Sequence, residues 1–518
     1  MNNSYDIIVI GAGCGGLAAA AVAAKAGKSV LLLEKHNVPG GFATSFVRGR
    51  FEFEAALHEL CGMGSLSDEG GTRALFDSLG ITDRIQWTDV PEAFRLIAKG
   101  RDGNKLDVTM PFGVSEFINK TEEYVPGSRP SMERLFALAD EIAEATEFSS
   151  SMGKPGVSAV ITVLKKYMNF VRTAPYSVNE VLDALGVPQK AQDIFCAYWS
   201  YLGMPCDKLS FIHYSSMVRS YLRAGACVPR YRSHEMSMAL ARCVTENGGT
   251  VRYKSEVSKI LTDNGSVCGV KLTDGTEFRS SRVIANISPD VLYAGMINPE
   301  VIPEDCIKLC NARKLGVRGA CMYLALDRSP EELGIRDYSL FYYDTTDTRA
   351  QWQLMGDLHK NNMQATVCLN MADTGCSPQG TTLMYFTTLY SQDCFRDVTP
   401  ESYKSYKEFI AKRFLDNYEY ATGIKIREHI EEIEVATPLT FARYSGAPEG
   451  AIYGYLAEGW DGVVARAIAR KSEKNVPGLR FCGGWGHMLS GMSSALSSGK
   501  AAAEDTLSDM NTEVSDNG

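Results

Sequence analysis

The amino-acid sequence predicts an α/β fold built on a parallel sheet. Three features near its beginning indicate this: an apolar run at Ile7–Ile10, a glycine-rich turn from Gly11 to Gly16, and an Ala-rich helical run over 17–26. A second apolar run, over 29–33, ends at the acidic residue Glu34. Short, wholly apolar strands that alternate with a helix are typical of a parallel sheet covered on both faces.

The glycine spacing and the acid together form a dinucleotide-binding fingerprint of the Rossmann type. Gly11 permits the tight turn, Gly13 lets the backbone approach a pyrophosphate, and Gly16 lets the helix pack close to the strand. The helix N-terminus offers free N–H groups and a partial positive charge to phosphates. Glu34 is suited to accept hydrogen bonds from a ribose. The alternative, a glycine turn in an ordinary α/β unit, does not require the acid.

The composition limits the class of protein. A chain of 518 residues is too long for one simple core and predicts two intertwined domains. The net charge of −9 argues against binding to a nucleic-acid backbone, which requires clustered Lys and Arg. The 14 cysteines include no Cys-x-x-Cys pair, and Cys306 and Cys310 stand at a helical spacing without a histidine pair. Free thiols in a reducing cytosol are therefore expected, with no metal site.

The apolar runs predict neither secretion nor a membrane span. The first run lacks a preceding basic region, and Asp6 stands just before it. No uninterrupted apolar run reaches about 18 residues. Residues 157–172 form an amphipathic stretch that predicts either a core helix or a helix lying on a bilayer. A cytoplasmic protein is expected, with contact to a membrane surface left open.

Pro39-Gly40-Gly41, just beyond Glu34-Lys35, resembles a feature of the FAD-binding superfamily that contains amine oxidases, Rab GDP-dissociation inhibitors and phytoene desaturases. These families carry a Gly-Gly pair shortly after the ribose-binding acid, where the backbone passes close to the flavin nucleotide. The resemblance implies FAD as the cofactor. It implies binding at Gly11, Gly13, Gly16, Glu34, Lys35 and Gly41.

The end of the chain carries a second signal. Residues 436–440 read Ala-Thr-Pro-Leu-Thr, an apolar strand later ends at Gly483-Gly484-Trp485, and Gly491-Met492 opens an Ala-rich helix. With the N-terminal fingerprint, this segment resembles the phytoene desaturase-like branch, which includes carotenoid desaturases, carotenoid isomerases and retinol saturases. In this superfamily the closing segment covers the flavin. The resemblance therefore adds Gly483, Gly484, Gly491 and Met492 to the cofactor site, and Val257 as a backbone contact to the adenine.

The resemblance implies a Rossmann-type FAD-binding domain, like that of amine oxidases and GDP-dissociation inhibitors, with an inserted α+β substrate domain. We assign residues 1–60, 221–295 and 436–518 to the FAD-binding domain, and 61–220 and 296–435 to the substrate domain. Apolar strands over 320–326, 365–371 and 382–388 predict an antiparallel sheet in the latter. Residues 507–518 are short, polar and expected to be disordered.

The implied activity is FAD-dependent chemistry on carbon–carbon double bonds of an elongated apolar substrate such as a carotenoid, retinoid or other isoprenoid lipid. Desaturation, saturation and cis–trans isomerisation all remain open, and NAD(P)H is one candidate for a transient electron donor. Because the cofactor carries the chemistry in such enzymes, the branch has no strong catalytic motif. His487 is the first candidate for proton transfer, followed by His58 and Tyr444. For His58, the alternative is a histidine that only makes structural hydrogen bonds.

Three alternative functions are compatible with the sequence. The first keeps the branch but changes the substrate to an unsaturated fatty acid or a steroid. The second is a flavin amine oxidase. The third is a non-catalytic prenyl-binding carrier of the Rab escort type, which the intact glycines and acid disfavour.

Overall fold

A computed structural model describes residues 3–56, 58–64, 71–151, 157–462, 465–466, 475–488 and 491–516. Its strands, in chain order, are β1 (Ile7–Ile10), β2 (Val30–Leu33), β3 (Ser45–Arg48), β4 (Phe51–Glu54), β5 (Leu60–Cys61), β6 (Trp87–Asp89), β7 (Phe94–Lys99), β8 (Lys105–Met110), β9 (Ala226–Pro229), β10 (Thr250–Arg252), β11 (Val257–Asp263), β12 (Ser266–Leu272), β13 (Glu277–Arg279), β14 (Val283–Ala285), β15 (Arg318–Leu326), β16 (Ser339–Tyr343), β17 (Gln364–Cys368), β18 (Thr382–Tyr390), β19 (Ile430–Ala436) and β20 (Leu479–Phe481).

The α-helices of the described residues connect and cover these strands. They are α1 (Cys14–Lys25), α2 (Gly71–Leu79), α3 (Val114–Tyr124), α4 (Arg129–Ser151), α5 (Val157–Lys166), α6 (Met168–Thr173), α7 (Val178–Ala184), α8 (Gln189–Phe195), α9 (Phe211–Ala224), α10 (Ser233–Glu246), α11 (Pro289–Val291), α12 (Glu304–Ala312), α13 (Pro330–Leu333), α14 (Thr348–Leu354), α15 (Pro400–Thr422), α16 (Pro438–Ser445) and α17 (Met492–Asp516).

The predicted parallel sheet has five strands in the order β10-β2-β1-β14-β20, and every neighbouring pair is parallel. All residues of β1 and β2 are buried, which explains why both strands are wholly apolar. The sheet takes its strands from three distant stretches of the chain. Because the strands are parallel, their carboxyl ends meet at one edge, which is where such sheets bind ligands.

Helices α1 and α17 pack against each other on one face of this sheet at backbone distance. A Cβ atom on Gly499 of α17 would lie 2.0 Å from the backbone oxygen of Gly15 in α1. Helix α17 continues to Asp516, so the expected disordered tail is wrong for residues 507–516, while 517–518 lie outside the described residues. The helix extends this far because one of its sides still packs against the core that contains α1. Thr506 is buried there, and Leu507 and Met510 are partly buried.

Helix α2 packs on the nucleotide-binding core, beyond the predicted end of the first FAD-binding segment. Leu75, Phe76 and Leu79 of α2 are buried in the same core as the Ala-rich side of α1. The prediction ended the first FAD-binding segment at residue 60 and assigned this region to the substrate domain. The apolar face of α2 covers the nucleotide-binding core. The boundary at residue 60 stays a prediction.

The second large sheet has seven strands in the order β19-β15-β18-β17-β16-β7-β8. Its neighbours are antiparallel except for β16 and β7, which are parallel. The three strands predicted here are present as β15, β17 and β18, although β17 ends at Cys368 and residues 369–371 form a 3₁₀ turn. Helix α15 covers one face with Ile410, Phe414 and Tyr418. The other face is directed toward the nucleotide-binding domain and the helices α3 to α9.

Candidate cofactor and substrate site

The carboxyl ends of three parallel strands converge on one side chain, Asn286, which follows β14. A Cβ atom on Gly13 would lie 2.7 Å from Asn286 Nδ2, and one on Gly483 would lie 2.0 Å from Asn286 Oδ1. Gly11, with φ +88°, would place a Cβ 3.1 Å from the Asn286 backbone oxygen. The structure therefore brings the first and last predicted glycine motifs together, and any side chain there would separate them.

The second glycine pair lies beside the first turn. The N–H of Gly40 donates to the oxygen of Ala12 at 2.7 Å, and a Cβ on Gly41 would lie 3.2 Å from Gly13 Cα. A Cβ on Gly16 would lie only 1.9 Å from the oxygen of Gly11. The close helix–strand packing predicted for Gly16 is therefore observed.

The N-terminus of α1 faces this group of glycines. Its N-cap is Gly13, which has no side chain that could cap the first N–H groups of the helix. Free N–H groups of the first helical turn, together with the helix dipole, form a binding site for a pyrophosphate. The backbone positions without side chains leave the approach to these N–H groups open, so the residues fit the pyrophosphate of FAD.

Glu34 lies at the end of β2 and is buried. One carboxylate oxygen accepts the N–H of Ala12 at 2.7 Å, and the other accepts the N–H of His36 at 2.9 Å. A carboxylate has about four acceptor positions, so both oxygens keep capacity for ribose hydroxyls. The N–H of Ser255 donates to the Glu34 backbone oxygen. Val257 follows Ser255 by two positions in the chain, so it lies near this acid. Contact between Val257 and an adenine stays a prediction.

The closing segment covers the glycine group from the other side. A Cβ on Gly454, whose φ is +66°, would lie 2.1 Å from the oxygen of Gly484. Gly491 has φ +102° immediately before α17, and Met492 begins that helix, partly buried against the core of α1. These positions fit a backbone wall for a flavin nucleotide, and their direct contact with it stays a prediction.

The structure does not place Tyr444 with the other catalytic candidates. Tyr444 is 59% exposed, its ring stacks on His36 at 5.7 Å, and its backbone oxygen is 2.6 Å from His36 Nε2. Lys35 is near as well, because a Cβ on Gly446 would lie 3.2 Å from Lys35 Nζ. Tyr444 therefore lies at the ribose end of the site, whereas the reacting ring of an extended dinucleotide is at the opposite end. A catalytic role for Tyr444 stays a prediction, and this placement does not favour it.

The two histidine candidates lie in different surroundings. His58 Nε2 is 2.9 Å from Thr387 Oγ1 of β18, and burial lowers the pKa of His58 to about 4. His58 is thus neutral near pH 7, which favours the structural interpretation. His487 lies in the wall of a cavity of about 400 Å³, beside Trp485 and the ion pairs that Asp461 forms with Arg313 and Arg466. Proton transfer by His487 stays a prediction.

Two residues of the site were missed by the sequence analysis. Asn286 follows β14 directly, as Gly11 follows β1. Asn286 can be identified as a site residue only when β14 is known to lie beside β1 in the sheet. Glu59 is buried between the two domains and accepts a hydrogen bond from the hydroxyl of Tyr201 at 3.0 Å. No local sequence pattern links Glu59 to Tyr201, because 142 positions separate them.

The fold and the site define a dinucleotide-binding oxidoreductase of the flavoenzyme class. The chain matches the family of flavin containing amine oxidoreductases over residues 14–507 and belongs to that family. The protein is therefore an FAD-dependent oxidoreductase, and the predicted flavin cofactor is confirmed. The role of NAD(P)H as electron donor stays a prediction.

Similar proteins lie in the branch that the sequence predicted. The chain is 24% identical to an all-trans-retinol 13,14-reductase of Danio rerio, over 87% of this chain and 77% of that protein. It is 23% identical to a prolycopene isomerase of an Oncidium hybrid cultivar, over 86% of this chain and 74% of that protein. A solved structure of cyclohexylamine oxidase from Brevibacterium oxydans shares the fold, with a TM-score of 0.62, 16% identity, and coverage of 98% and 99%.

Replacement of Glu34 by Ala is expected to weaken flavin binding. Loss of a charged acceptor for the ribose hydroxyls should lower affinity by roughly 10- to 100-fold, the value of one or two such hydrogen bonds. The measurement is the flavin content of the purified variant, followed by titration of the apoprotein with FAD. The matched control is Glu256→Ala, an exposed acid near the same loop. Full flavin content in Glu34→Ala would contradict the assignment.

His58 should make the protein less stable in acid. The unfolded chain binds a proton to this histidine near pH 6.5, whereas the folded protein binds it only near pH 4. Stability contributed by His58 is therefore present above pH 6.5 and is lost between these values, at no more than about 1.4 kcal/mol per pH unit. Chemical unfolding from pH 4 to 7 should show a flatter slope for His58→Gln. The exposed His359→Gln is the control, and equal slopes in all three proteins would refute the expectation.

Proposed function

We propose that this enzyme acts on carbon–carbon double bonds of an elongated apolar substrate: a carotenoid, a retinoid or another isoprenoid lipid. The observation that carries the proposal is the extent of the sequence similarity. The retinol reductase and the prolycopene isomerase match 87% and 86% of the chain, which includes the substrate domain as well as the nucleotide-binding sheet. The amine oxidase likeness is structural, at 16% identity, and supports only the fold.

Aromatic side chains at the junction of the two domains support an apolar, unsaturated substrate. Tyr198 contacts Tyr201, Tyr221 and Phe341 with ring centroids 5.0–5.6 Å apart. The hydroxyl of Tyr198 donates to the oxygen of Ala93 at 2.7 Å, and that of Tyr201 donates to Glu59. With these hydroxyls engaged, the rings form an apolar cluster in which Tyr198 is fully buried and Tyr201 is partly exposed, a composition that suits packing against a polyene.

The chain's own residues would bind and orient the reactants. Bound FAD supplies hydride transfer to or from a substrate carbon. The glycines around Asn286 and the acid Glu34 fix the nucleotide, and the buried aromatic residues keep water away from the reacting carbons. We also propose a reduced nicotinamide as a transient electron donor. The similarity to the retinol reductase supports this donor, and we assign no residue to its binding.

An anaerobic visible spectrum of the purified holoenzyme, recorded before and after addition of NADPH or NADH, tests the proposal. We expect an oxidised flavin band that bleaches when NADPH, NADH or dithionite reduces the flavin. Addition of all-trans-retinol or a carotenoid to the reduced enzyme should then restore the band or isomerise the polyene, as chromatography would show. Restoration of the band by oxygen alone, with primary amines as the only compounds that bleach the oxidised enzyme, would identify an amine oxidase instead.

We also propose that the enzyme contacts a membrane peripherally while in the cytoplasm. The predicted helix over 157–172 is divided at Tyr167 into α5 and α6, and Leu164, Met168 and Val171 are each at least 38% exposed. Exposed Lys165 and Lys166 flank these apolar side chains, an arrangement that suits an anionic bilayer surface. Among the described residues, no helix is long and apolar enough to cross a bilayer. All fourteen cysteines are free thiols, which supports a reducing compartment.

A vesicle flotation assay tests this contact. The wild-type protein should float with vesicles that contain phosphatidylserine, and the double variant Leu164→Glu, Met168→Glu should remain in the dense fraction because two charges replace the apolar contact. Tyr420→Glu is the control, since Tyr420 is 83% exposed on α15 and away from this surface. Equal flotation of the double variant and the control would rule out this surface.

A further inference from the structure

Glu59 is a buried carboxyl group with one unsatisfied oxygen. The side chain is 6% exposed, and its Oε1 accepts the hydroxyl of Tyr201 at 3.0 Å. Its Oε2 is buried and has no hydrogen-bond partner among the described residues. Buried polar atoms are rarely left unpaired, because each loses its hydrogen bonds to water without replacement. Glu54, five residues earlier, shows the usual arrangement: both of its oxygens accept from Ser233.

The surroundings of Glu59 favour a protonated carboxyl group. The pKa of Glu59 is raised to about 8, chiefly by burial; the hydrogen bond from Tyr201 lowers it, and the nearby charge of Glu92 adds a smaller increase. No basic side chain is among these influences. The other titratable groups whose charge is felt from neighbouring elements are Tyr198, Tyr221, Tyr338 and Cys61. Glu59 is therefore mostly a neutral acid at pH 7, able to donate a proton.

Two chain segments lead from the glycine group to Glu59. The first starts at Gly41 and passes Thr44, whose oxygen accepts the N–H of Ala55, four residues before Glu59. The second starts at Gly484, contacts Gly454, and continues to Tyr453. A Cβ on Gly203 would lie 3.1 Å from Tyr453 Cδ2, two residues beyond Tyr201. Glu59 and Tyr201 are thus each connected to the glycine group through a short chain segment, and Tyr201 packs against Tyr198 and Tyr221.

We propose that Glu59 is the catalytic acid that delivers a proton from Oε2 to a substrate carbon. This inference rests on the proposed function. In the saturating direction, one carbon of the double bond receives hydride from reduced flavin, whose electrons come from a reduced nicotinamide or, in the test, from dithionite. The Glu59 O–H bond breaks as a C–H bond forms at the other carbon. The resulting carboxylate keeps the Tyr201 hydrogen bond and recovers its proton from water.

Tyr201 acts through Glu59 as a positioning residue. Its hydroxyl holds Oε1, which leaves Oε2 as the atom that carries and releases the proton. The neighbouring His58 is unsuited to this task, because its pKa is lowered to about 4 and its Nε2 is engaged by Thr387. The proton donor is therefore the carboxyl next to His58 and not the imidazole.

Rapid mixing of dithionite-reduced holoenzyme with all-trans-retinol under anaerobic conditions tests the role of Glu59. Glu59→Gln keeps the shape and the Tyr201 contact but holds no acidic proton, so reoxidation of its flavin should slow by about 100-fold or more. Glu59→Asp should recover part of the rate. Asp193→Asn is the matched control: Asp193 is also a buried acid with a raised pKa, but it accepts the hydroxyl of Thr346 and should react as the wild type does.

Difference infrared spectroscopy of the unreacted holoenzyme gives a readout independent of turnover. Wild type and Asp193→Asn should share a protonated-carboxyl stretch at pH 7 that Glu59→Gln lacks and that disappears above pH 8. Absence of this band from the wild type overturns the proposal. If the wild type reacts and Glu59→Gln reacts equally fast, the proton-donor role alone is overturned. If no polyene reoxidises the wild type, the proposed function fails and the donor role fails with it.

Discussion

The structure depends on the close approach of backbone segments around Asn286. Gly11, Gly13 and Gly483 come from the two ends of the chain, and each leaves room that a single Cβ atom would remove. The approach closes the parallel sheet at the edge where its strands end, and it leaves the N-terminus of α1 facing the enclosed space. Cofactor binding and the association of the first and last strands thus require the same thing: glycine, with no Cβ atom, at these positions.

The segment between Gly41 and Leu60 connects this site to the seven-stranded sheet. Three tyrosines in that sheet or next to one of its strands form hydrogen bonds with the backbone of this segment. Tyr323 donates to the oxygen of Ala55 at 2.6 Å, Tyr338 donates to the oxygen of His58 at 2.5 Å, and the N–H of Glu54 donates to Tyr385. The aromatic residues therefore do more than form an apolar wall. They fix the backbone that positions Glu59 relative to the nucleotide, so that the geometry of proton delivery follows from the packing of the two domains.

The sequence predicts the nucleotide-binding half of the site well, because that half is built from backbone. Gly11, Gly16 and Glu34 have roles that follow from local spacing, and the structure places them accordingly. Side chains that meet across the fold are harder to predict: Asn286 requires knowledge of strand order, and Glu59 acquires its properties only from burial beside Tyr201. The packing of helix α2 is hard to predict for the same reason, since its amphipathic pattern does not specify which core it covers. Tyr444 lies against His36, next to the ribose-binding acid, and its sequence context does not specify that position.

The central sheet has a consequence for how the enzyme is made. Strands β1 and β2 are synthesised first, yet β20 and α17, which complete the sheet edge and pack on α1, come from the last part of the chain. A growing chain on the ribosome therefore presents the unpaired edge of β14 and the small-residue face of α1 until β20 and α17 emerge. Flavin capture has to follow their arrival. Cofactor loading therefore follows the synthesis of β20 and α17, and until then the unpaired edge of β14 is open to aggregation and proteolysis.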